Sequence, residues 1–261
     1  MSAWTDFLAE LDDARAGLDF RPGERCLYRG HANLDWALVP TLLRHASTAG
    51  LHSHKTRQLE ARLFFEFRAR ARELHPFPLA GWEILQYMRH HGIATRLLDW
   101  TEILGVALYF ALLDEECTAP CIWIMNPYLL NEQPESKSVR SLAQPENLGR
   151  KPGLPGEPEQ SDYEFFLSHW WEPMPFRFPI AVYPVQRNAR LYAQQGYFTV
   201  HGQDPGSLDA LAPMAVRKIC IPADALDDAR SFLSLAGIND YTMFPDLDGL
   251  ARDLHRKHAI T

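Results

Sequence analysis

Apolar positions recur with helical period in several separate stretches of this chain. Trp4, Phe7, Leu8, Leu11 and Ala14 share one face and predict an amphipathic helix over 2–16. Leu59, Leu63, Phe67, Ala71 and Leu74 form a second stripe over 56–74. "GWEILQYMRHHG" (81–92) reads as a third helix, with Gly92 placed for a left-handed C-cap. A fourth is expected to start near Asp99, with Asp99 and Glu102 as a capping box, and to run on through "VALYFALLDE". "DALDDARSFLSLAG" (224–237) carries an Asp start and a Gly stop, and "DLDGLARDLHRKH" (246–258) reads as a last, short helix.

Between these lie apolar runs of strand length. They are Cys26 to Arg29 after the Pro22-Gly23 turn, "CIWIMN" (121–126), "IAVYPVQ" (180–186), "YFTVHG" (197–202) and "VRKICIPA" (216–223). Strands and helices do not alternate as regular βαβ units. No Gly-rich loop follows a strand with phosphate-binding spacing, so a Rossmann or P-loop reading is poorly supported. The expected fold is a single α+β domain over 1–261, a mixed or antiparallel sheet with flanking helices. Residues 1–19 form its N-terminal helical segment. Residues 131–160, rich in Pro, Gly and polar residues, read as a flexible insertion or lid.

Composition narrows the function classes. The net charge of -7 argues against a surface that grips nucleic acid all over, though not against a local basic groove. The N-terminus lacks a secretory pattern and no apolar run reaches the length that crosses a bilayer, so a cytoplasmic protein without membrane contact is expected. Cys26, Cys121 and Cys220 sit in apolar, strand-like contexts that suit reduced thiols. Cys117 and Cys121 lack a second Cys/His pair at zinc spacing, and no metal is expected.

Four stretches carry candidate chemistry. In "LYRGH", Arg29 at a strand end, flanked by Tyr28 and Gly30, offers a planar fork for phosphate or carboxylate; the alternative is a salt bridge to Asp35 or Asp99. In "HHGIATRLLDW", Thr95, Arg96 and Asp99 are polar groups between apolar ones, followed by Trp100. Arg96 and Asp99 are spaced to pair on one helical turn; alternatively Asp99 caps a helix and Arg96 pairs with another acid. His90 and His91 suit a general base or simply a favourable helix C-terminus. In "RLYAQQGYFTVHG", Gln194 and Gln195 make a turn whose amides suit a nucleotide or sugar hydroxyl. In "TMFPDLDG", Asp246 reads first as a helix cap. The basic stripe Arg57, Arg62, Arg68, Arg70 and Arg72 suits nucleic acid, or else a solvated face with Glu60, Glu66 and Glu73 interleaved.

The motifs occur in an order that resembles the FRG domain family of bacterial and phage proteins. "LYRGH" with Trp36, Pro40 and Arg44, then "HHGIATRLLDWTE" with "ALYFA", then "RLYAQQGYFTVHG" and "YTMFPDLDGLA" carry the resemblance over about 20–255. The chain departs from the family's usual Gln-His-Tyr-Gly at Arg89-His90-His91-Gly92, and has Ala94 where Pro is usual. The same order of blocks is distantly similar to mono-ADP-ribosyltransferases. That likeness implies NAD as cofactor, Arg29 on its diphosphate, Thr95 and Asp99 lining the pocket, and Gln195 near the place of the catalytic acid. No Glu occurs in "RLYAQQGYF", so the stabilising charge would come from Asp99 or Asp246. The leading expectation is therefore a nucleotide- or NAD-handling domain acting as a toxin or phage-defence effector. His90, His91, Asp99 and Gln195 are its catalytic candidates, and Tyr28, Arg29, Gly30, Thr95, Arg96, Trp100 and Gln194 its ligand contacts. Two alternatives stay open. One is a non-catalytic module for nucleic acid, a nucleotide signal or a protein partner such as an antitoxin. The other is a hydrolase or nuclease built on His and Asp.

Overall fold

The computed structural model describes residues 2–74, 81–113, 119–132, 140–145, 167, 176–185 and 193–258. The chain adopts the expected α+β architecture. Six strands, β1 (Leu27–His31), β2 (Leu97–Thr101), β3 (Cys121–Met125), β4 (Ile180–Val182), β5 (Gly196–Val200) and β6 (Val216–Cys220), form one sheet in the order β4-β5-β2-β1-β3-β6. Every neighbouring pair is antiparallel. Helices among the described residues are α1 (Ala3–Ala16), α2 (Thr41–Thr48), α3 (Ser53–Ala71), α4 (Gly81–His90), α5 (Leu104–Ala111), α6 (Pro127–Asn131), α7 (Leu208–Leu211), α8 (Leu226–Leu235), α9 (Asp240–Met243) and α10 (Leu247–Lys257).

Strand alternation sorts the core. Leu27, Leu98, Trp100, Trp123 and Met125 pack in one cluster on one face of the sheet. The other face is covered in two parts. Phe7, Leu11, Val106, Leu108 and Leu233, from α1, α5 and α8, pack with Tyr28, Ile122, Ile124 and Ile219. Phe64, Trp82, Leu85 and Met88, from α3 and α4, pack with Leu97, Phe198 and Val200. The boundary between the two covers runs along the junction of β1 and β2.

Two local features set that boundary. A Cβ at Gly30 would stand 1.9 Å from the Ala107 carbonyl oxygen and 2.7 Å from the Ala111 nitrogen, so the glycine lets α5 lie directly on β1. Gly92 has φ of 77°, the left-handed cap expected where α4 ends.

One expectation is overturned. Asp99 does not start a helix, because 97–101 is strand β2, registered residue for residue against β5 from Leu97–Val200 to Thr101–Gly196. The helix begins at Leu104, after Ile103 and without a side-chain cap. Leu97, Leu98 and Trp100 are buried on the two faces of a central strand, and that burial outweighs the local Asp–Glu cue. Arg96 and Asp99 accordingly share no helical turn. Asp246 does cap α10, accepting from Gly249 N at 2.7 Å. Cys117 and most of 131–160 lie outside the described residues. Among the described residues no helix is long and apolar enough to cross a membrane.

Candidate functional site

A cavity of about 530 Å³ opens at the β1–β2 junction, lined from β1, β2, α2, α4 and α5. Its position follows from the register. β1 pairs with β3 at every residue from Leu27 to His31, but with β2 only at Tyr28–Thr101. One residue further on, the Arg29 side chain spans the gap, and its Nη1 donates to the Asp99 carbonyl at 2.7 Å.

Arg29 is held from behind as well. Its Nε donates to His31 Nε2 at 3.0 Å, while His31 Nδ1 lies 3.3 Å from both the Trp36 carbonyl and the Trp123 indole N–H. Burial, with the Arg29 charge adding to it, pushes His31 down to about 3, so the ring is neutral and accepts. Burial also lowers Arg29, to about 10; Asp99 opposes the shift, while Arg89 and Arg44 add to it.

Those two neighbours complete a cluster of like charge. Arg89 donates from Nε and Nη2 to Asp99 Oδ2 at 2.8 and 2.5 Å, and Asp99 raises its pKa. Arg44 donates from Nη2 to Thr41 Oγ1 at 3.1 Å; burial and then Arg89 lower its pKa. Among the described residues Arg44 pairs with no carboxylate, and Asp99 is the one carboxylate in the lining. The described residues of the lining thus set three guanidinium groups against one carboxylate. Tyr28, Trp36, Tyr87 and Phe110 supply aromatic walls, and His90 also faces the space. Such a lining offers donors for an anion and flat apolar walls beside them.

The structure brings together Tyr28, Arg29, Gly30, His90, Asp99, Trp100 and Gln194 of the expected site. Trp100 and Gln194 also have structural partners, since Trp100 Nε1 donates to Thr199 Oγ1 at 3.1 Å and Gln194 Nε2 to the Met243 carbonyl at 3.0 Å. Four residues fall elsewhere. His91 is exposed beside Tyr87, and Gln195 is exposed in a left-handed turn with φ of 41°. Thr95 is buried, its Oγ1 accepting from Leu97 N. Arg96 is buried in an ion pair with Glu60 and donates to the His201 and Gly202 carbonyls at 2.6 and 3.1 Å. It serves the fold, as the second of its two readings had it. The basic stripe on α3 is also broken, because Arg57 is buried and Arg70 faces Glu66 at 3.8 Å.

Arg44, Arg89, His31, Trp36 and Phe110 were missed as site residues. Trp36, Arg44 and Arg89 did stand in the motif blocks of the resemblance, but no local pattern marked them as ligand contacts.

Residues 24–119 match the family model of the FRG domain. That span holds the three arginines, His90 and Asp99; the later blocks of the resemblance lie beyond it. No curated protein and no solved structure matches the chain. The comparisons lend no support to the ADP-ribosyltransferase likeness.

Proposed function

Starting from an FRG domain over residues 24–119, we propose that the cavity binds a nucleotide-class ligand. The phosphate sits among Arg29, Arg44 and Arg89, and a ring packs against Trp36, Tyr87 or Phe110. The observation that carries the reading is the charge imbalance in the lining, where Asp99 faces three arginines. Burial lowers the pKa of Arg29 and Arg44, with neighbouring guanidinium charges adding to it, so an incoming anion relieves both, and the planar forks of the three arginines match phosphate oxygens. The volume lies in the range of small-molecule sites.

The test is calorimetric titration of wild type and Arg44→Ala with NAD, ADP-ribose and AMP. Arg44 is chosen because among the described residues it has no ion pair to lose. One charge-assisted contact is worth about 1.5–3 kcal/mol, so affinity for at least one ligand falls roughly 10- to 100-fold in the variant. Absence of binding to wild type, or equal binding to both proteins, rejects the proposal.

NAD cleavage is the second reading, favoured by one observation: the Asp99 side chain is 44% exposed beside His90 in the cavity. A phosphate that draws Arg89 away would take its two hydrogen bonds off the carboxylate, which then has more negative charge to offer a ribosyl cation. Nicotinamide released by wild type and lost in Asp99→Asn supports this reading; ligand bound without release leaves a sensor. An effector role in toxicity or phage defence is tested by comparing growth of cells that express wild type or Arg44→Ala.

A further inference from the structure

Cys121 and Cys220 stand directly opposite each other in the antiparallel register of β3 and β6. The pair type can be read from one bond. Ile221 N, the amide after Cys220, donates to the carbonyl of Pro120, the residue before Cys121, at 2.9 Å. That pattern marks a non-hydrogen-bonded pair, in which facing Cα atoms are about 4.5 Å apart and side chains share one face. A disulfide needs a Cα separation of about 4.4 to 6.8 Å, so the backbone already meets the requirement. Both thiols are free. Cys220 is exposed on the edge strand, whereas Cys121 is buried, and burial raises its thiol to about 12.

We propose that Cys121 and Cys220 are an oxidisable pair that closes into a cross-strand disulfide on exposure to a peroxide. The exposed Cys220 sulfur attacks the peroxide, the O–O bond breaks, the thiol proton leaves with the departing oxygen as one water, and a sulfenic acid remains. The Cys121 sulfur then attacks the sulfenic sulfur. The S–O bond breaks, the Cys121 proton leaves with the departing oxygen, and a second water is released. Two thiols are oxidised by two electrons in total, and one peroxide is reduced. His31 lies opposite Cys121 on the other side of β3, so the bridge closes in the same cross-strand row as the residue that holds Arg29.

The test uses the full chain, treated with one equivalent of hydrogen peroxide, alkylated and weighed intact, then digested. The expected product is about 2 Da lighter before alkylation and takes up two alkyl groups fewer than the reduced chain, reverts with dithiothreitol, and yields one cross-linked peptide joining Cys121 to Cys220. A bridge that closes so long a loop raises the Tm by roughly 5–15 °C. Cys220→Ser alters an exposed position, keeps the fold, and shows neither the mass change nor the Tm shift. Persistent alkylation of both thiols in wild type, overoxidation of Cys220, or a bridge to Cys26, Cys117 or a second molecule overturns the proposal.

Discussion

Replacing Arg96 by alanine separates a fold-holding arginine from a ligand-holding one. The Arg96 and Glu60 side chains are 2% and 1% exposed, and the pair is bidentate, with Arg96 Nε on Glu60 Oε1 at 2.7 Å and Nη2 on Oε2. Removing one partner of a buried pair costs about 3–5 kcal/mol, because the remaining charge has no compensation. The carbonyls of His201 and Gly202 each lose a donor as well, adding on the order of 1 kcal/mol or more. A total of about 4–6 kcal/mol is a large part of the stability of a typical domain. For a chain of 261 residues it lowers the Tm by roughly 10–20 °C. Thermal melts followed by circular dichroism give the readout, with Arg44→Ala as the control that should melt within about 2 °C of wild type or above it. If Arg96→Ala melted like wild type but lost ligand, the assignment of Arg96 to the fold would fail.

Two further outcomes follow from the same structure. Gly30→Ala drives a methyl into the backbone of α5, at 1.9 Å from the Ala107 oxygen, and should cost about 3 kcal/mol or more by urea denaturation; a change below about 1 kcal/mol would mean that α5 is not seated on β1. The second outcome concerns pH. His31 and His201 are held neutral, each near 3, chiefly by burial, against about 6.5 in an unfolded chain. The unfolded state therefore binds more protons between those values. Stability is full above pH 6.5 and falls as pH drops toward 3, by up to about 1.4 kcal/mol per unit for each histidine. Urea midpoints at pH 7.5 and 5 should differ by about 2–4 kcal/mol in stability, and His201→Leu should remove about half of the difference; a flat profile contradicts the burial argument.

The helical stripes and the strand-length runs were legible because each is written locally, in period and punctuation. Arg29 was legible for the same reason, since a glycine after an arginine at a strand end marks a close backbone approach, and Gly30 provides one for α5. Asp99 was misread because the evidence for its strand lies far away, at Phe198, its registered partner on β5. The local Asp–Glu spacing that suggested a cap was a coincidence of composition. Arg44 and Arg89 meet Arg29 only after α2 and α4 fold over the sheet, and although both stand in motif blocks, no spacing in the sequence says that the blocks converge. Arg96 offered two readings, and the distant Glu60 is its partner in the fold.

The single registered pair between β1 and β2 makes the sheet two leaves with one stitch. β4-β5-β2 carries its own cover of α3 and α4, and β1-β3-β6 carries α1, α5 and α8. Tyr28 with Thr101 is the stitch, and Arg29 is a thread laid across the slit beside it. Whatever occupies the slit touches both leaves at once, and so takes up a mechanical position as well as a chemical one.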